Sequence, residues 1–269
     1  MIHIATVHWR DGRWLEPQRR YLDRNVEAPY RIHADTDQSG EGPDAHAAKL
    51  NALATAIARE AEPDDVLVFL DGDAFPIAPL DDFLRATLGR VPLAAIRRDE
   101  NLGDRQPHPS FCATTVGFWQ ELGGDWSRAP WTNDVGWEIS DPGGKLLETL
   151  TEKRVDWHPL ERTNRVNLHP VLFGVYDDVV YHHGAGFRAV FDRVDRLRAG
   201  AIPDLPADLA GEPPPGLAGV AWKVRAKRWY VTEKFPVVRR ERQLMRDNSE
   251  LSKRVFRRLQ EDEQFWLEV

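Results

Sequence analysis

The sequence predicts an α/β fold in which a mixed sheet is flanked by helices. Short apolar runs at residues 2–7, 30–34, 66–70 and 93–96 have the length of strands. Residues 45–61 carry apolar side chains at helical spacing and are predicted to form a helix. The run at residues 66–70 is apolar throughout, which is typical of a central strand covered on both faces.

The remaining segments predict how the chain is divided. Further strands are expected over residues 110–118 and 179–182, helices over 80–88 and 145–153, and a loop over 99–109, which contains glycine and two prolines. Residues 205–219 hold four prolines and three glycines and are typical of a linker. We therefore predict an α/β domain over residues 1–204, a linker over 205–221 and a helical arm over 222–269, with one long helix over 239–266.

Charge is unevenly distributed along the 269 residues. The net charge is −7, yet residues 222–258 carry 13 Lys/Arg against 4 Asp/Glu. An acidic body therefore precedes a basic C-terminal arm. The first interpretation of the arm is a solvated helix that packs on the acidic body. The alternative is attachment to an anionic membrane surface or an acidic partner.

Composition excludes several classes of protein. No apolar run approaches the length of a membrane span, and the N-terminus lacks the pattern of a secretory signal. Cys112 is the single cysteine, so an intrachain disulfide is excluded. We expect a cytoplasmic location, with peripheral contact to the inner face of the membrane through the basic arm as an alternative. A homodimer is left open, and no nucleic-acid partner is expected.

Two acids follow the central strand. Asp71, Gly72 and Asp73 come directly after residues 66–70, at the edge where open α/β sheets bind their ligands. An acidic pair there destabilises the fold unless positive charge meets it. Divalent Mg²⁺ and Mn²⁺ prefer oxygen ligands and bridge phosphates. The pair therefore predicts a site for Mn²⁺ or Mg²⁺ together with a phosphate-containing ligand, the alternative being an acidic turn that caps the next helix.

The order of these parts resembles the donor-binding half of GT-A glycosyltransferases. The resemblance covers roughly residues 1–188 and is most specific over residues 71–77, where Phe-Pro-Ile follows the acids. It implies a GT-A-like fold and a metal-dependent enzyme that moves a sugar from a nucleotide-diphosphate donor to a hydroxyl acceptor such as a glycan, glycolipid or small molecule. It assigns Asp73 to the metal, with Asp71 on the ion or the ribose and Gly72 close to the nucleotide. Lys49 either approaches the donor or lies on a solvated helix face.

A histidine motif follows later in the chain. In members of this class that resemble glycogenin, a C-terminal histidine completes the metal shell and a basic residue meets the diphosphate. The resemblance assigns His183 to the metal and Arg188 to the donor, although that family has lysine one position later. His182 is the alternative ligand, because neighbouring side chains on a strand point to opposite faces. A structural histidine pair at a strand end is the other interpretation.

An inverting transferase needs an acidic residue to accept the acceptor proton. Asp134 is the first candidate, Glu138 the second and Asp141 the third. The alternative role of Asp134 is to cap a helix.

Two rival functions fit parts of the same pattern. A haloacid-dehalogenase-type phosphatase would use Asp71 as nucleophile and Asp73 as acid/base. A GT-A-like binding module without catalysis would keep the fold and use the arm for docking.

Overall fold

The computed structural model describes residues 1–8, 12–37, 39–40, 42–99, 103–132, 138–165, 172–184, 206–209 and 212–269. The chain divides into two compact units. Unit 1 comprises Met1–Gly184 and Leu259–Val269, and unit 2 comprises Ala185–Arg258. The linker and arm of the sequence analysis fall in unit 2, except that residues 259–269 belong to unit 1.

Unit 1 is an α/β structure, as the sequence predicts. Its described strands are β1 (Ile2–Val7), β2 (Tyr30–Asp35), β3 (Val66–Asp71), β4 (Ala74–Pro76), β5 (Leu93–Arg98), β6 (Asp104–Thr115), β7 (Ala129–Thr132), β8 (Glu138–Asp141), β9 (His158–Leu160), β10 (Leu172–Tyr176) and β11 (Val180–Gly184). Its helices are α1 (Leu15–Asn25), α2 (Gly42–Ile57), α3 (Leu80–Leu88), α4 (Val116–Leu122) and α5 (Gly144–Glu152).

A six-stranded mixed sheet forms the centre of unit 1. Its order is β2-β1-β3-β6-β5-β9. Strands β1, β2 and β3 are parallel, β6 runs antiparallel to β3 and β5, and β9 is parallel to β5. Two smaller antiparallel sheets accompany it, with the orders β10-β11-β4 and β7-β8. The carboxyl ends of β1, β2 and β3 therefore meet at one edge of the large sheet.

The central strand β3 is covered on both faces because its alternate side chains enter two different cores. Leu67 and Phe69 pack in the cluster that includes residues of α2, α4 and α5. Val68 and Leu70 pack in the cluster that includes residues of α1 and α3. Each such fully buried side chain stabilises the fold by about 1.5–3 kcal/mol. This packing fixes the strand whose end carries the acid pair.

One predicted loop is a strand instead. The prolines of residues 99–109 predict a loop, but β6 begins at Asp104. The part of β6 before Phe111 pairs with β5 and not with β3, and its register with β5 shifts twice. Proline is tolerated in such a segment because its missing N–H is not needed for a second neighbour. The prolines therefore lie in residues 104–110 of β6, the part that extends beyond β3 and that we call the overhang of β6.

Unit 2 contains more helix than the sequence analysis expects. One helix spans Leu217–Trp229, a π-helical stretch covers Tyr230–Lys234, and a second helix spans Phe235–Glu261, whose last residues belong to unit 1. The predicted single helix over 239–266 is thus wrong at both ends, since Asp262 ends the helical run before a short 3-10 turn at Phe265–Glu268. None of the described helices is long and apolar enough to cross a bilayer.

Candidate metal centre

The acid pair lies where the sequence predicts it, at the carboxyl edge of the central sheet. Asp71 is the last residue of β3 and is in register with Val7 of β1. The chain then turns, and β4 begins only three residues later, at Ala74. Because the turn is tight, the carboxylates of Asp71 and Asp73 are held near each other at the open end of the parallel strands.

Strand β11 brings a histidine to this turn. It pairs antiparallel with β4, with His182 opposite Ala74. The backbone N–H of His183 donates a hydrogen bond of 3.0 Å to the Asp73 carbonyl. His182 Nε2 then lies 3.3 Å from Asp73 Oδ1 and 3.6 Å from Asp71 Oδ2. The imidazole therefore contacts both carboxylates.

Of the two histidines named in the sequence analysis, the alternative His182 is the one beside the acid pair, and the side chain of His183 points elsewhere. His183 is fully buried, with its ring 4.7 Å from that of Trp14 and 4.9 Å from that of Phe173. Its Nδ1 is 2.8 Å from the Tyr181 hydroxyl, and burial holds its pKa well below the usual value. The reason is strand alternation, which turns neighbouring side chains to opposite faces.

Two histidines contact the Asp71 carboxylate, one at each oxygen. His46 of α2 places Nε2 3.2 Å from Asp71 Oδ1, while His182 approaches Oδ2. Burial alone would raise the pKa of Asp71, but the charges of His46 and His182 hold it well below the usual range. His46 is the partner of the buried Oδ1, and His182 faces Oδ2. The carboxylate is thus buried and ionised, and a metal ligand must be deprotonated.

The ligand set fits a divalent ion. One ligand atom from each of Asp71, Asp73 and His182 lies within 4.8 Å of the others. Two carboxylates and an imidazole are a donor set in the range of Mn²⁺, whereas Mg²⁺ would rely on the oxygens and water. These three residues could hold the ion.

Gln18 of α1 fixes the acid turn, although the sequence analysis gives it no role. Its side-chain amide donates to the backbone carbonyls of Asp71 at 2.8 Å and Ala74 at 2.9 Å. Its Oε1 accepts from His8 Nε2 at 3.0 Å and from the Thr6 hydroxyl at 3.3 Å. One buried side chain thus ties both ends of the turn to the end of β1.

Gly72 lies where the acid turn passes close to β1. Its predicted approach to a nucleotide stays a prediction. A Cβ at this position would lie 2.8 Å from both His8 Nδ1 and the Val7 carbonyl oxygen. The protein itself therefore occupies that side of the turn, and glycine allows β1 and the turn to approach each other.

A buried polar row lies beside the acids on the overhang of β6. Asp104, Gln106, His108 and Ser110 alternate along the strand and are all buried. The ring of His108 is centred 6.0 Å from that of His182, and burial keeps its pKa well below the usual value. Of this row, His108 is the residue whose ring lies against His182.

Arg98 of β5 links this row to one of the predicted acids. Its guanidinium contacts Asp104 Oδ2 at 2.7 Å and Asp141 Oδ2 at 3.1 Å. Burial raises the pKa of Asp141, and Arg98 opposes that shift. The charge of Asp141 in turn helps raise the pKa of His46, so this acid faces the same cluster.

Two of the predicted site residues, Lys49 and Glu138, are described and are not brought to the acid pair. Lys49 places Nζ 3.2 Å from Asp35 Oδ1, at the end of β2, and its ammonium also contacts the Asp37 carbonyl. Glu138 is exposed on β8. Asp134 and Arg188 lie outside the described residues, so their predicted roles stay predictions.

Sequence reasoning missed His46 and Gln18. His46 stands one helical turn before Lys49, so both residues lie on the same face of α2. The helical period therefore cannot decide which of them contacts the acid pair. Gln18 is 53 residues from Asp71, and nothing local marks it.

No protein-family model matches the chain, and no curated protein matches it significantly.

Proposed function

We propose that the protein is a metal-dependent glycosyltransferase of GT-A-like fold, which moves a sugar from a nucleotide-diphosphate donor to a hydroxyl acceptor. One observation carries the proposal. Asp71, Asp73 and His182 converge at the carboxyl edge of a mostly parallel sheet, where α/β proteins bind nucleotides. The acid pair and the histidine come from distant parts of the sequence, and the small sheet joins them.

Each residue of the cluster has a task in this proposal. Asp71, Asp73 and His182 would hold Mn²⁺ or Mg²⁺, which when bound neutralises the diphosphate and stabilises the charge that develops as it leaves. Because its pKa is held low, Asp71 stays ionised at neutral pH and ready to bind a cation. His46 orients Asp71 by contacting the oxygen that His182 does not approach.

The donor would lie across the ends of β1, β2 and β3. Lys49 and Asp35 form an ion pair at the end of β2, which places polar groups there for a nucleoside. The predicted contact of Arg188 with the diphosphate belongs to the same proposal.

The acceptor base is proposed among three acids. Asp134 and Glu138 remain the first two candidates. Asp141 has a raised pKa and forms an ion pair with Arg98, which lies beside the cluster. Of the three acids, it is therefore the one with an electrostatic link to the cluster among the described residues. A base with a raised pKa accepts a proton more readily near neutral pH.

A nucleotide panel tests the proposal. Thermal unfolding is followed with UDP, GDP, CDP and TDP, each with and without Mn²⁺. Binding at a hundredfold excess over Kd stabilises the fold by about 2.7 kcal/mol. We expect one nucleotide to stabilise the wild type only with Mn²⁺, and neither Asp71→Asn nor Asp73→Asn to respond. Asp64→Asn is the matched control, because Asp64 is exposed just before β3.

Turnover separates the proposal from its rivals. With the preferred nucleotide, a transferase slowly hydrolyses the matching nucleotide sugar in the presence of Mn²⁺, and free sugar is measured. A phosphatase would instead release phosphate from an aryl phosphate, and Asp71→Asn would abolish that release. Metal-dependent nucleotide binding with neither activity would favour the binding module.

A further inference from the structure

The helical part of unit 2 exposes an apolar stripe. Leu217, Val220, Val224, Val231 and Phe235 are 89%, 59%, 63%, 53% and 44% exposed. On the Leu217–Trp229 helix, spacings of three and four residues place Leu217, Val220 and Val224 within about 60° of arc. Val231 and Phe235 follow in the π-helical stretch and at the start of the next helix. These five residues, which we call the apolar stripe, leave exposed apolar side chains along the Leu217–Trp229 helix, the π-helical stretch and the start of the next helix.

Basic residues flank the apolar stripe on both sides. Between residues 217 and 240 the chain carries seven Lys/Arg and a single acid, Glu233. On the Leu217–Trp229 helix, Lys223 and Lys227 fall on one side of Leu217, Val220 and Val224, and Arg225 and Arg228 on the other. Lys234 and Arg239 continue the basic run beside Val231 and Phe235 in the sequence. Five of these six are exposed, and Lys234 is half-buried.

From this arrangement we propose that the apolar stripe docks on an anionic lipid bilayer, with the helices lying in the plane of the interface. The apolar side chains would enter the boundary between headgroups and acyl chains, and the lysines and arginines would reach the lipid phosphates. Tyr230, 46% exposed, adds an aromatic ring of the kind that favours the headgroup level. This proposal does not depend on the proposed glycosyl transfer.

The chemistry favours a lipid surface over other occupants. An acidic protein or a nucleic acid would match the basic flanks but leave the valines and Phe235 uncovered. A partner helix would match the apolar residues but would not need positive charge along both edges. An anionic bilayer satisfies the apolar centre and both basic edges at once.

The full-length protein is tested by co-sedimentation with vesicles of phosphatidylcholine alone and of phosphatidylcholine with phosphatidylglycerol. We expect binding only to the second kind, and weaker binding as salt is raised. Val224→Asp combined with Val231→Asp should reduce the bound fraction about tenfold or more. Both side chains are more than half exposed, so thermal unfolding should be unchanged. Leu15→Asp is the matched control, since Leu15 is a 42% exposed leucine of unit 1 and should leave binding intact.

Several results would overturn the proposal. Equal binding to neutral and anionic vesicles would remove the role of the basic flanks. A double variant that binds like the wild type would remove the role of the stripe. If the double variant instead abolishes a dimer seen by size exclusion, and the wild type binds no vesicle, a second copy of the chain covers the stripe.

Discussion

Gln18 offers the sharpest test of how the acid turn is built. Gln18→Met keeps the length of the side chain and removes its donor and its acceptor. Four hydrogen bonds of 2.8–3.3 Å are lost, two to backbone carbonyls of the turn and two from side chains of β1 and its end. At about 1 kcal/mol each, with a further cost for polar groups left buried, we expect a destabilisation of about 3–5 kcal/mol.

Urea unfolding measures this loss, and calorimetry of Mn²⁺ on the folded variant measures its effect on the site. Mn²⁺ should bind more weakly, because the turn that carries both carboxylates is no longer tied at its two ends. Gln120→Met is the control, since Gln120 is exposed on α4 and such surface changes stay within about 0.5 kcal/mol. If Gln18→Met is as stable as this control, or binds Mn²⁺ like the wild type, the positioning role of Gln18 is wrong.

Three further predictions concern the same unit. Gly72→Ala should destabilise the fold by about 1–3 kcal/mol in urea unfolding, because its Cβ would lie 2.8 Å from His8 Nδ1; an unchanged midpoint would contradict this. Burial alone would lower the pKa of His182, but Asp73 raises it above the usual value, so Mn²⁺ must displace a proton. Mn²⁺ affinity should therefore increase as pH rises through that pKa, with proton release in calorimetry; pH-independent affinity would refute the assignment. Cys112 is fully buried and its pKa is raised by desolvation, so a thiol reagent should react only on unfolding, and fast reaction with the folded protein would argue against the core.

The sequence predicts the central strand and its acid pair well, because both signals are local. A continuous apolar run ending in Asp-Gly-Asp has few alternatives to a buried strand with a turn at its end. The helix α2 is likewise predicted from its own periodicity. What lies next to these elements depends on pairing between distant segments, and pairing leaves little trace in a single sequence.

The choice between His182 and His183 shows this limit. Which of two neighbouring strand residues faces the acids depends on the register of β11 against β4, and a shift by one residue would exchange them. The overhang of β6 was missed because its prolines argue for a loop unless the strand is known to have one partner there.

The apolar stripe of unit 2 shows the same limit in a helix. The Leu217–Trp229 helix has apolar residues on its exposed face and also half-buried Trp222 and Trp229 on the other. Apolar side chains on two faces cancel in a periodicity analysis. Only the exposure of each residue separates the face that the protein covers from the face that is left for a partner.

The most direct test of the central claim is calorimetric binding of the preferred nucleoside diphosphate with and without Mn²⁺, in the wild type and two histidine variants. We predict that Mn²⁺ strengthens nucleotide binding and that His182→Gln weakens this effect by more than about tenfold. His183→Gln should retain it, despite lower stability, because His183 lies on the opposite face of β11. Nucleotide binding that ignores Mn²⁺, or that survives His182→Gln and fails in His183→Gln, would contradict the account.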